Sequence, residues 1–100
     1  MNTENTSSQA DCIALPQQLD FAHCTELRLA IEASRGQPLA LDAHQVEFLG
    51  GAGAELLLAT RAEWAGRDLA FELKQPSDDF LKGMERLGLP HDCLLERGSA

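Results

Sequence analysis

The sequence predicts one α/β domain in which a small mixed sheet of about four or five strands carries its helices mainly on one face. Short apolar segments of β type alternate with helical patterns along the chain, and this alternation favours largely parallel strands. The length of 100 residues allows one domain, and 44% hydrophobic residues supply a core. We expect that domain at 12–95, between polar, disordered tails at 1–11 and 96–100.

The first strand and the first helix come from the N-terminal third of the chain. The apolar residues 12–15 are followed by Pro16, whose missing N–H suits a strand near a sheet edge. Asp20 has the side chain of an N-cap, and Gly36 is suited to end the helix that follows. The apolar stripe of this helix consists of Phe21, Cys24, Leu27 and Ile31.

The middle of the chain predicts a strand, a turn and a second helix. Residues 38–42 form a compact apolar strand, and residues 46–49 lead into a turn of small residues at 50–53. The helix over 54–65 carries apolar side chains on more than one stripe, so we expect it to be buried over a broad face. Arg61 falls within that face. Either its stem lies along the apolar surface and its guanidinium reaches solvent, or the guanidinium contacts a polar group of the protein.

The last third predicts a strand and the most clearly bounded helix. Apolar residues alternate with others over 69–73, which is the period of a half-covered strand. Ser77 is an N-cap for the third helix, and Gly88 should end that helix in a Schellman motif. The core stripe of this helix consists of Phe80, Met84 and Leu87. Residues 93–95 are a possible final strand.

Charge and hydropathy exclude several classes of partner. The net charge of −8 repels phosphate backbones and anionic lipid, so we expect no nucleic-acid partner. No segment approaches the ~18 consecutive apolar residues of a membrane-spanning helix, and we expect no membrane insertion. The N-terminus lacks the charged and apolar regions of an export signal, which predicts a cytoplasmic protein.

The residue types that bind metals or perform catalysis do not form a recognisable motif. Cysteines occur at three positions, Cys12, Cys24 and Cys93. Their spacing is not that of a zinc or redox site, and Cys24 falls on the apolar stripe of a helix. Asp42 and His44 with a serine suggest a hydrolase triad, but no GxSxG elbow is present. We therefore expect neither a metal nor another cofactor, and no enzyme activity.

The spaced pattern of the central segments resembles the STAS domain, the sulfate-transporter and anti-sigma-factor-antagonist family. The segments are Leu39-Ala40-Leu41-Asp42, Val46-Glu47-Phe48-Leu49, the small-residue turn, Leu56-Leu57-Leu58-Ala59, and Leu69 to Leu73 with Pro76-Ser77. The resemblance covers about 12–95. It implies a non-catalytic module that docks on an anti-sigma factor or kinase, a chemotaxis component or an ATPase subunit.

The same resemblance implies which residues meet the partner. In many members the turn reads Asp-Ser-Ser-Gly or Asp-Ser-Thr-Gly, and the hydroxyl residue before the glycine takes a phosphate. Aligned on Gly53, Ala52 occupies the acceptor position, Gly51 the second hydroxyl position and Gly50 the acidic position. Alanine cannot be phosphorylated, so that switch is absent here. The expected partner-binding residues are Asp42, Gly50, Gly51, Ala52, Gly53 and Glu55, with the first and second helices as the docking face.

Three functional hypotheses follow. The first is an interaction module in bacterial signalling, either anti-sigma factor antagonist-like or associated with chemotaxis. The second is a STAS subunit of an ABC lipid-trafficking complex. The third is a small nucleotide-binding module, because amides at the start of the second helix favour an anion. The turn at 50–53 has neither a Gly-Lys-Ser/Thr ending nor GxGxxG spacing, which weighs against this third hypothesis.

Overall fold

The computed structural model describes residues 11–95, so the expected tails fall outside the described residues except for Asp11. In chain order the elements are β1 (Asp11–Ala14), β2 (Gln18–Leu19), α1 (Cys24–Ala33), β3 (Leu39–Asp42), β4 (Phe48–Leu49), α2 (Gly51–Gly66), β5 (Phe71–Lys74) and α3 (Asp78–Arg86). The α/β class is confirmed. Each of the three helices predicted from the sequence is present.

The strands form two parallel sheets, where the sequence predicted one mixed sheet. One sheet has the order β1-β3-β5, and the other pairs β2 with β4. The first ladder ends where Leu15 donates to the Asp42 carbonyl at 2.9 Å, directly before Pro16. The Gln17 carbonyl instead accepts from Glu47 at 2.8 Å, which starts the second ladder.

The helices cover one face of the three-stranded sheet, as the sequence predicted. Residues 39, 41, 71 and 73 are buried and lie on the same face by register. On the opposite face Cys12, Ala14, Glu72 and Lys74 are exposed. This alternation across the pleat is typical of a sheet with one solvated face.

The first helix begins with a short 3₁₀ turn, Phe21–His23, before α1. The Asp20 carboxylate accepts from the His23 backbone N–H at 3.1 Å, which confirms the predicted cap. The expected core position of Phe21 is wrong, since its side chain is 83% exposed. The cavity beside it is lined by residues as small as Ala52 and Ala59, which leave the ring uncovered.

The second helix begins at Gly51, three residues before the predicted start. Gly50 is the N-cap, and its carbonyl accepts from Ala54 at 3.0 Å. The glycines predicted as a turn therefore form the first turn of α2. A Cβ at Gly53 would lie 2.5 Å from the Leu19 carbonyl oxygen, so glycine permits α2 to lie directly on β2.

Trp64 and Arg61 attach the second half of α2 to the rest of the domain. Trp64 is 1% exposed, as expected of a core residue, and its Nε1 donates to the Gln37 carbonyl at 2.6 Å. Arg61 donates to the Cys93 carbonyl at 2.9 Å, so the polar contact, one of the two alternatives for this residue, is the one observed.

The third helix has the predicted ends. Ser77 Oγ accepts from the Phe80 N–H at 3.0 Å and donates to the Val46 carbonyl at 2.6 Å. Gly88 has φ +78°, and Leu89 donates to the Met84 carbonyl at 2.9 Å, which is the Schellman bond. Phe80 and Met84 are fully buried, whereas Leu87, expected in the same stripe, is 37% exposed at the helix end.

The chain after α3 does not form the expected strand. His91–Cys93 is a 3₁₀ turn, and Leu95 donates to the His91 carbonyl at 3.0 Å. These local bonds use the backbone groups that a sheet ladder would need. Leu94 is 1% exposed, so this segment still contributes to the core.

Candidate functional site

The predicted site residues at the start of α2 differ in their exposure. Gly51 and Glu55 are exposed, Gly50 and Ala52 are half-buried, and Gly53 is buried. Gly53 is therefore a packing residue, which holds the helix against β2. The exposed carboxylate of Glu55 lies one turn into the helix and would repel a phosphate bound at the helix start.

Asp42 lies at the end of β3, on the solvated face of the three-stranded sheet. Its carboxylate accepts from the His44 backbone N–H at 2.8 Å and contacts the His44 ring Nδ1 at 2.9 Å. The backbone hydrogen bond from His44, followed by the ring contact, lowers the pKa of Asp42 below its ordinary value. Both of these partners belong to its own loop, and its part in docking stays a prediction.

Ala52 carries only a methyl group at the position that the resemblance aligns with a phosphate acceptor. The nearest hydroxyl further along α2 is Thr60, which is 4% exposed and donates to the Leu56 carbonyl at 2.7 Å. Ser77 is occupied as the cap of α3. Neither hydroxyl is presented at the start of α2.

A groove separates α1 from α2. The upper part of the groove, beside the first half of α2, is a cavity of about 510 Å³. The α1 side is lined by Phe21, Cys24, Thr25 and Arg28, and the α2 side by Ala52, Glu55, Leu56 and Ala59. A second cavity of about 100 Å³ shares Arg28, Leu56 and Ala59 and extends to Arg35 and Glu63, so the groove is continuous.

An ion-pair cluster closes the lower end of the groove, beside the last turns of α2. The Glu63 carboxylate contacts the Arg35 guanidinium across the groove and, at 3.5 Å, the Nε of Arg67, which directly follows α2. Within residues 11–95, by contrast, neither Arg28 nor Glu55 belongs to an ion pair. The groove therefore has, beside this cavity, two side chains of opposite charge that belong to no ion pair among residues 11–95.

The solvent side of α2 has an unusual composition. Its exposed positions are Gly51, Glu55, Ala59, Ala62, Ala65 and Gly66. Surface helices usually carry charged or long polar residues on this side. Only Glu55 has such a side chain at these exposed positions, and the other charged residues of α2, Arg61 and Glu63, are half-buried and bonded to Cys93 and Arg35.

A second groove lies on the other side of α2. It has a volume of about 410 Å³ and is lined by Leu58, Ala62, Ala65, Leu69 to Phe71, Arg61 and Cys93. Sequence reasoning found neither groove, because both depend on which elements flank α2. The available signal was the composition of α2 itself, where glycine, alanine and leucine leave almost no polar face.

The cysteines occupy three separate environments. Cys12 is exposed, Cys24 is buried and Cys93 is half-buried. Burial raises the pKa of the Cys24 thiol, which favours the protonated form. Across residues 11–95 no three His, Cys, Asp or Glu side chains come together as a metal site requires.

The described part of the chain also contains no helix with the length and apolar character needed to cross a bilayer. With its two grooves beside α2, the fold defines a small α/β domain that presents at its surface a helix side with almost no charge. Such a surface is typical of a protein-interaction module.

The comparison with protein families identifies this module. A family model described as Mlab, STAS domain, matches residues 2–96, and the chain belongs to this STAS domain family. The resemblance seen in the central segments is thereby confirmed. STAS domains are in general non-catalytic modules of protein interaction. Neither the search of curated proteins nor that of solved structures found a match.

Proposed function

We propose that this STAS domain docks a partner protein on the solvent side of α2, beginning at Ala52 and Glu55. The observation that carries the proposal is that the exposed positions of α2 carry only glycine, alanine and the single charge of Glu55. A helix side of this composition is normally buried. A partner would complete that burial.

We expect no phosphorylation switch at the start of α2. Ala52 and Gly51 provide no oxygen for a phosphate, so docking there cannot be reversed by adding negative charge to either residue. This supports a signalling assembly of the chemotaxis type over sigma-factor partner switching.

A second candidate function is that of a STAS subunit bound to the ATPase of an ABC lipid-trafficking complex. The same hydroxyl-free helix start favours it, because a permanent subunit needs a stable contact more than a reversible one. Both candidates place the chain in the cytoplasm as a non-catalytic component.

The experiment is affinity capture from lysate of the source organism, followed by mass spectrometry, with the wild-type chain and two variants. Ala52→Glu adds a carboxylate at the proposed contact, and Lys82→Glu adds one on the exposed side of α3 as a matched control. We expect the wild type and Lys82→Glu to recover the same protein and Ala52→Glu to lose it.

The identity of the recovered protein separates the two candidates. A chemotaxis component supports the signalling role, and a transporter ATPase supports the second candidate. Equal recovery by Ala52→Glu, with an unchanged circular dichroism spectrum, would remove the start of α2 from the interface.

A further inference from the structure

We propose, on the basis of the proposed docking function, that the groove between α1 and α2 binds a partner helix of about three turns. The contact face of that helix has apolar residues at helical spacing, an acidic residue facing Arg28 and a basic residue facing Glu55. The remaining α2 surface then forms the edge of the interface.

The dimensions of the groove favour an elongated occupant. It extends along α2 from Ala52 to the ion pair at Glu63, a length of about 16 Å at the helical rise of about 1.5 Å per residue. A partner helix of about eleven residues has the same length. The Arg35 and Glu63 pair closes the far end and limits the occupant to this length.

The groove walls favour a helix over an extended segment. Both walls are α-helices, whose backbone N–H and C=O groups are already bonded within each helix. An extended peptide lying between them would leave its own backbone groups without partners. A helix satisfies its backbone internally and offers side chains at i, i+3, i+4 and i+7.

The chemistry of the groove specifies the residues of the occupant. Leu56 and Cys24 form an apolar floor, and they are 9% and 6% exposed. The Phe21 ring stands at the rim, 83% exposed, where an apolar side chain of the partner would cover it. Arg28 and Glu55 lie on opposite walls without ion-pair partners among residues 11–95, so opposite charges on the partner would complement them.

The experiment selects binders from an unbiased library. A display library of random 14-residue peptides in a helix-favouring frame is selected against the full chain. We expect enriched peptides with apolar residues at i, i+3 or i+4, and i+7, and with one acidic and one basic position. Ala59→Trp, which fills the groove, should weaken the best peptide at least tenfold, and the matched Ala65→Trp on the other side of α2 should not.

Charge reversal tests the assigned orientation. Arg28→Glu should weaken the same peptide about tenfold, and replacing its acidic residue by lysine should restore binding to that variant. The inference is overturned if no helical pattern is enriched, if Ala59→Trp binds as tightly as the wild type, or if the chain itself dimerises through Ala59.

The outcome is separable from that of the proposed function. A cellular partner that is lost with Ala52→Glu but retained by Arg28→Glu and Ala59→Trp would uphold docking on α2 and reject the groove. Retention by all three variants would reject both.

Discussion

Helices α2 and α3 both lie at the surface, but their exposed sides differ in composition and their first turns differ in capping. The exposed side of α3 carries Asp78, Asp79, Lys82, Glu85 and Arg86. The exposed side of α2 carries glycine and alanine with the single charge of Glu55. Serine caps the start of α3 through its side chain, whereas Gly50 caps α2 with backbone alone.

Under the proposed function, the two helices face different surroundings in the assembled state. The composition of α3 is that of a helix optimised for water, with amphipathic pattern, side-chain cap and Schellman end all in agreement. The composition of α2 adds little to stability on its outer side, where charged residues would be tolerated. Contact with the proposed partner would explain why its outer side lacks charged side chains.

The two helices are alike in how they meet the small β2–β4 sheet. A Cβ at Gly83 of α3 would lie 2.8 Å from the Leu49 Cβ, and one at Gly53 of α2 would lie 2.5 Å from the Leu19 carbonyl oxygen. Glycine permits both close approaches. The obstacle is rigid backbone for α2 and a side chain for α3.

The largest effect is expected from Gly53→Ala. The added methyl meets backbone that cannot move alone, so we expect a loss of about 2–3 kcal/mol in the free energy of unfolding, measured by urea denaturation. Gly51→Ala, in the same turn but with nothing within 4 Å of its Cβ, is the control and should not destabilise. A loss under about 0.5 kcal/mol for Gly53→Ala would contradict the close packing of α2 on β2.

The next effect concerns the cap of α3. Ser77→Ala removes the bond to the Phe80 N–H and the bond to the Val46 carbonyl, and we expect a loss of about 1–2 kcal/mol. Ser77→Thr keeps a hydroxyl and should retain most of the free energy of unfolding that Ser77→Ala loses. If Ser77→Ala unfolded at the wild-type urea midpoint, the side-chain cap of α3 would add no measurable stability, and the contrast with the backbone cap of α2 would not affect the free energy of unfolding.

A smaller effect tests the outer side of α2 directly. Ala62→Glu places a good helix former at an exposed position, so the free energy of unfolding should change by less than about 0.5 kcal/mol. Partner recovery should nevertheless fall. A destabilisation above about 1 kcal/mol would show that this side packs within the chain itself.

The smallest effect concerns the 3₁₀ turn that precedes α1, whose cap, Asp20, is a titratable carboxylate. The side-chain bond from the His23 ring, at 2.6 Å, is the main cause that lowers the pKa of Asp20 below its ordinary value of 3.8. The stabilisation is therefore complete above pH 3.8 and is lost as the pH falls through the lower folded value.

Comparison with Asp20→Asn isolates that contribution. The variant keeps an N-capping side chain but cannot be ionised, so its melting temperature should lie slightly below that of the wild type at pH 6, and the difference should shrink as the pH falls below 3.8. A constant difference over this range would exclude titration of Asp20 as the cause.

The sequence predicted those features whose signals are local. Ser77 and Gly88 bound α3 because capping depends on residues within a turn or two of the helix end. The division into two sheets was not predictable in the same way, since it depends on Gln17 pairing with residues thirty positions later. The extra turn of α2 was missed because glycine usually marks a turn, and here it permits contact with Leu19.

The candidate site was predictable in position but not in shape. The resemblance places Ala52 and Glu55 at the start of the second helix, and the structure has both on or beside its exposed side. Phe21 was expected in the core because its spacing fits the stripe of α1. Its exposure depends on the small side chains of α2 across the groove, which no local pattern in α1 contains.

The attachments of α2 at both ends have a thermodynamic consequence. Gly53 holds its first turn on Leu19, and the Trp64 indole bonds to the Gln37 carbonyl near its last turn. A helix fixed in this way has little freedom to shift when another molecule arrives, so association requires little refolding. Titration calorimetry should then give a heat-capacity change that reflects only the apolar area covered, with no contribution from ordering this domain.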